Sequence, residues 1–207
     1  MKKYINELIG TFFLVLVIGL SGNPLAIGSI LMVMVYMGGH ISGAHYNPAV
    51  TLAILMRKKI ATQEAIAYMA FQLAGSLLAA YTAYALTKIT FAPAPGANVD
   101  AIDALLVEVF FTFALASVVL NVATTKINAG NSYFGLAIGF TVLAGALAGG
   151  PISGGAFNPA VGLGPCLIDT LVGGNSSLSH VWLYLVGPFA GGALAAVVFG
   201  FTNPNEV

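Results

Sequence analysis

Two asparagines, Asn47 and Asn158, each precede Pro-Ala within long apolar sequence. Amides grouped there donate hydrogen bonds to a polar neutral molecule without carrying charge. The decapeptide Ile41-Ser-Gly-Ala-His-Tyr-Asn-Pro-Ala-Val50 returns 111 residues later as Ile152-Ser-Gly-Gly-Ala-Phe-Asn-Pro-Ala-Val161, with seven of ten positions identical. Asn is a helix-capping residue, and Pro is tolerated at the first helical position because its missing N–H has no partner there. Each motif therefore predicts a short helix, Pro48 to Met56 and Pro159 to Leu167. Nine residues at ~1.5 Å each reach ~14 Å, about half a bilayer core. No nucleophile and base pair and no metal-ligating cluster accompanies the motifs, so the expectation is a non-enzyme without cofactor or metal.

The elements that position these motifs must lie in a membrane. Of 207 residues, 58% are hydrophobic and 7% charged, too little polar surface for a soluble domain. Between Glu7 and Arg57 run 49 residues without a charge, and between Lys126 and Asp169 run 42. Apolar periodicity and breakers predict six spanning helices, Tyr4 to Leu20, Leu25 to Gly39, Thr62 to Thr87, Ala101 to Thr125, Ser132 to Gly149 and Ser179 to Phe201. Ser21-Gly-Asn-Pro24 reads as a compact turn and Phe91-Ala-Pro-Ala-Pro-Gly96 as an external loop. The Gly-rich segments 38–43 and 149–155 read as irregular backbone at membrane depth, tolerated only where buried in protein or lining a watery cavity.

Charge placement predicts topology. Lys2, Lys3, Arg57, Lys58, Lys59 and Lys126 fall on one side of this arrangement and only Lys88 on the other, which predicts cytoplasmic termini. Asp100, Asp103 and Asp169 then fall outside. Equal numbers of basic and acidic residues give no argument for nucleic acid as a partner. Cys166, the single cysteine, excludes an internal disulfide. The N-terminus has no small-residue cleavage site, so the first helix is expected to be retained.

The repeat extends further. Tyr68 to Ala80 aligns with Tyr184 to Ala196 at six of thirteen positions, and Glu7 before Thr11-Phe12 mirrors Glu108 before Thr112-Phe113. Residues 1–207 read as a single channel domain built from repeats at about 1–88 and 101–202. Three spanning helices per half make the repeat inverted, so the half-helices meet N-terminus to N-terminus near the midplane. The carbonyls of Gly43, Ala44 and His45 and of Gly154, Gly155 and Ala156 then form a candidate acceptor ladder.

At this point the chain resembles the major intrinsic proteins, the aquaporin and glycerol-facilitator family. The resemblance rests on Glu7-x-x-Gly-Thr-Phe12, Gly39-His-Ile-Ser-Gly-Ala-His-Tyr-Asn-Pro-Ala-Val50, Gln72, Glu108, Ser153 to Ala160 and Gly187-Pro188. It implies six helices plus two re-entrant half-helices, all-α, in a cell membrane, with a central constriction at Asn47-Pro48-Ala49 and Asn158-Pro159-Ala160 and one pore per protomer of a homotetramer. It further implies that Glu7 and Glu108 are buried carboxylates anchoring the re-entrant loops. His40 is expected in the cytoplasmic vestibule, as a packed or vestibule-lining residue.

One departure stands out. Most members carry an Arg directly after the second motif, where this chain has Val161. By spacing, the other outer-filter positions are Ile27, Ala146 and Gly155. The implied filter is apolar and wide, unless Tyr36 or Phe157 refills it. The expected function is passive conduction of water and small uncharged solutes, with glycerol, urea and ammonia as candidates and the bilayer as the other partner. The alternatives are a strictly water-selective channel and a coupled secondary transporter, which broken helices and inverted repeats also build.

Overall fold

The computed structural model describes residues 1–206, and its regular elements are all helical. They are α1 Lys2–Ser21, α2 Pro24–Ser42, α3 Pro48–Met56, α4 Thr62–Thr87, α5 Ala101–Thr124, α6 Phe134–Ser153, α7 Pro159–Gly173 and α8 Val181–Thr202, with 3-10 turns at Ser177–His180 and Pro204–Glu206. All but α3 and α7 are long and apolar enough to cross a bilayer. Large side chains such as Ile66, Phe110, Leu147 and Val197 stay exposed around the perimeter, where lipid is the solvent.

The two halves repeat one another as an inverted pair. Within each, the first helix packs on the last, α1 on α4 and α5 on α8, while α2 and α6 cross between halves. The crossing is close because neither helix has a side chain at the contact. A Cβ on Gly28 would lie 2.7 Å from the Gly139 carbonyl oxygen, and one on Gly139 would lie 2.4 Å from that of Gly28. The half-helices are exchanged, with α7 seated on α4 and α3 on α8.

Both termini lie at one end, the terminal face. The Lys3 ammonium sits 2.8 Å from Glu64 Oε1 at the start of α4. Arg57, following α3, is buried and stacks over Phe199 with its carbon 4.4 Å from the ring centroid. It donates to Thr124 Oγ1 at 2.7 Å, to the Thr124 carbonyl at 3.0 Å and to Glu206. Its ion pair with Glu206 joins the C-terminal turn to the end of α5.

The structure corrects three sequence expectations. Helix α2 continues through Gly38 and Gly39 to Ser42, and α6 through Pro151 to Ser153, so irregular backbone begins only at Gly43 and Gly154. Gly38 is a spacer rather than a breaker, because a Cβ there would meet the Tyr46 hydroxyl at 1.9 Å. Helix α7 runs 15 residues, past the expected end at Leu167, and closes at Gly174 with φ 71°. Asp169 holds the segment beyond it, accepting from Asn175 Nδ2 at 2.8 Å and from the Ser177 hydroxyl.

Candidate pore

The half-helices start where local chemistry dictates. Asn47 Oδ1 accepts from the amides of Ala49 at 2.8 Å and Val50 at 3.4 Å, and Asn158 Oδ1 accepts from Ala160 at 2.9 Å. Pro48 and Pro159 occupy the first helical positions. Each carboxamide then reaches across the repeat. Asn47 Nδ2 donates to the Phe157 carbonyl at 2.8 Å and Asn158 Nδ2 to the Tyr46 carbonyl at 2.9 Å. An amide nitrogen has two hydrogens, so one on each remains for a solute.

Two fully buried carboxylates shape the loops that precede the motifs. Glu7 accepts from the amides of His45 at 3.0 Å and Tyr46 at 2.7 Å, from Ser42 Oγ at 2.5 Å and from Gln72 Nε2 at 2.8 Å. Glu108 accepts from the amides of Ala156 at 3.0 Å and Phe157 at 2.7 Å and from Ser153 Oγ at 2.8 Å. Left-handed backbone at Gly43, Ala44 and Tyr46 recurs at Gly154, Gly155 and Phe157. With these amides turned to the carboxylates, no protein donor among the described residues reaches the carbonyls of Gly43, Ala44, His45, Gly154, Gly155 or Ala156. Unpaired carbonyls at this depth need a polar partner.

The halves differ around His45. His45 Nδ1 lies 3.1 Å from Thr51 Oγ1, which accepts from Gln72 Nε2 at 3.0 Å and donates to the Asn47 carbonyl at 3.0 Å. The corresponding positions in the second half are Ala156, Gly162 and Pro188, which cannot reproduce it.

Both asparagines face a cavity of about 230 Å³ that opens toward the far face. Ile27, Ala146, Gly155 and Val161 all line it, as do Ala44, His45, Gly154 and Ala156. Gly43 instead lines a second cavity toward the terminal face, with residues of the segment 125–131. His40 lies exposed on α2 and lines neither.

Of the two aromatics that could narrow the space beside Val161, Tyr36 stays away from the cavity and Phe157 is among the residues lining it. Tyr36 is near the other end of α6, where its hydroxyl donates to the Ser132 carbonyl at 3.1 Å and accepts from the Leu136 amide at 3.1 Å. The Phe157 ring is buried, 5.2 Å from that of Phe111 and against Gly145. Phe91 and Pro93 of the long loop, which sequence reasoning left external, line the cavity as well, and the Gly96 amide bonds the Ile152 carbonyl at 3.0 Å.

Sequence reasoning also missed most of the apolar wall, including Leu14, Leu31, Leu115, Ile138 and Val142. The spacing of Ile27, Leu31 and Val35 was available, but these helices are apolar on every side. Among the described residues no group of three or more His, Cys, Asp or Glu is placed to hold a metal ion.

A six-helix membrane bundle whose two exchanged half-helices meet at capping asparagines beside a lined cavity defines an intrinsic-protein channel. The family model described as Major intrinsic protein matches residues 17–199. Aquaporin NIP1-1 of Oryza sativa subsp. japonica is 39% identical over 222 aligned positions, covering 98% of this chain and 75% of that protein. Glycerol uptake facilitator protein-like 6 of Lactiplantibacillus plantarum is 35% identical, covering 95% of each. The X-ray structure of the aquaglyceroporin from Plasmodium falciparum superposes with a TM-score of 0.87 at 20% identity, over 99% of this chain and 98% of that one, which speaks for the fold. The chain belongs to the major intrinsic protein family, a family of multi-pass membrane channels.

Proposed function

We propose that the chain conducts water and small uncharged solutes passively, with glycerol, urea and ammonia as candidates, and that its outer filter is permissive. The observation that carries this reading is Val161, buried on the cavity wall with Ile27, Ala146 and Gly155. An Arg there would supply a fixed donor fork and a positive charge, which orient a solute and repel cations. Here one wall offers carbonyl acceptors and the rest is hydrocarbon, so a solute is held along one edge only.

Neutrality is enforced deeper in. The N-termini of α3 and α7, roughly half a positive charge each, face the same point and disfavour a cation while the asparagine amides remain available to a neutral molecule. The buried carboxylates are occupied by loop amides, which supports a channel over a proton-coupled transporter. The terminal face is assigned to the cytoplasm, on which side Lys3, Arg57 and Lys126 lie, and the protein to the cell membrane as a homotetramer.

The test is flux into proteoliposomes. Wild type is expected to pass water and glycerol without saturation or an ion gradient. Val161→Arg should lower glycerol and urea permeability by about tenfold and water by less than about threefold. Unchanged fluxes in the variant would place the filter elsewhere, and wild-type flux no greater than that of empty liposomes would remove the channel reading itself.

A further inference from the structure

The repeat offset of 111 residues carries the four outer-filter positions onto four others. Ile27 corresponds to Ile138, Ala146 to Val35, Gly155 to Ala44 and Val161 to Val50. From this we infer that the chain has a second, inner ring at Val35, Ala44, Val50 and Ile138, and that this ring sets the size limit for solutes. The inference rests on the channel reading above.

The two rings are related by backbone as well as by number. Ala44 and Gly155 share left-handed φ values of 52° and 66°. Gly28 and Gly139, also 111 residues apart, make the symmetric crossing of α2 and α6 that carries two members of each ring. All four inner residues are buried, and three of them line the chamber that holds both asparagines.

Residue size decides which ring is tighter. Two positions are equal, Ile facing Ile and Val facing Val. The other two are larger inside, Val35 against Ala146 and Ala44 against Gly155. Next to the inner ring stands the imidazole of His45, tied to Thr51, where the outer ring has only Ala156.

Helix α6 shows the same gradient along its pore-facing row. Phe134, Ile138, Val142, Ala146 and Gly150 recur every fourth residue and shrink steadily toward the far face. A Cβ on Gly150 would meet nothing within 4 Å, as expected of the wide end. The cavities agree with this taper. The chamber of about 230 Å³ and the one at the terminal face share a single lining residue, Ile138. That residue lies eight positions, ~12 Å of helix, inward of Ala146.

With the outer ring lacking Arg and carrying the smaller side chains, a solute enters easily and is sorted by width at the inner ring. Flux through polyols of increasing length, measured in the same liposomes as water, tests this. Val35→Ala combined with Ala44→Gly gives the inner ring the composition of the outer one, and glycine relieves the positive φ at position 44. This double variant should raise the glycerol-to-water permeability ratio about fivefold and admit a longer polyol, and Ile138→Val should shift it the same way by less. Ile27→Ala in the outer ring should leave the ratio within about twofold of wild type. A rise with Ile27→Ala, or no rise with either inner-ring variant, overturns the inference while wild-type flux still upholds the channel. Absence of wild-type flux overturns the channel reading on which it rests.

Discussion

Asn47 and Asn158 each do three things with one small side chain. Oδ1 caps a half-helix, one Nδ2 hydrogen holds the opposite loop, and the other is left for a solute. Asp in both places would keep the capping oxygen but put negative charge between two positive helix ends. The double variant Asn47→Asp with Asn158→Asp is expected to admit small cations that wild type excludes, measured as a potassium or proton current across a planar bilayer. Cation exclusion equal to wild type in a variant that still conducts water would count against a barrier at this point. The asparagines were legible in the sequence because capping and proline placement are local. Val161 was legible for the same reason, as a fixed offset from Asn158.

At the scale of the element, small residues set how near the helices come. A Cβ on Gly191 of α8 would lie 2.4 Å from the Val109 carbonyl oxygen of α5, whereas one on Gly200 of the same helix would meet nothing within 4 Å. Gly191→Ala must push α8 away from α5, and overpacking of this kind costs about 1–3 kcal/mol. Gly200→Ala should be neutral or stabilising by up to about 1 kcal/mol, since alanine favours helix. Thermal unfolding of the detergent-solubilised protein separates the two, and equal midpoints would refute the close-packing account. Glycine was also where reading by residue type failed. Gly38 and Gly39 resemble helix breakers, yet both lie inside α2, because the space needed by Tyr46 rather than backbone freedom requires Gly38.

At the scale of the molecule, neither half can complete its pore alone. Helix α3 rests on α8, α7 rests on α4, and each asparagine is satisfied by a carbonyl of the other half. Two fragments separated between Asn98 and Val99 should therefore restore water flux when produced together and give none when produced singly. Flux from the first fragment alone would show that one repeat suffices. Arg57 belongs to this scale too. It looked like one more positive charge on a loop, but it is buried and ties the end of α3 to α5 and the C-terminal turn. Glu206 is only partly buried, so breaking this pair should cost less than the about 3–5 kcal/mol lost when one partner of a fully buried pair is removed.

The sequence by itself determined the six spans, the inverted repeat, the starts of the half-helices and the buried carboxylates. Each of these rests on local chemistry, or on a segment being matched to its own copy. Only the tertiary structure decided which apolar residues face the pore. Val142 and Leu147 are alike in chemistry, yet one lines the cavity and the other is exposed on the perimeter. In water the polar face of a helix would reveal its orientation, but in a bilayer the outward face is as apolar as the inward one and that signal vanishes. The fate of Phe91, Tyr36 and Arg57 depended on contacts far away in the chain, and the taper toward Ile138 became visible only once the helices were seen around a common cavity.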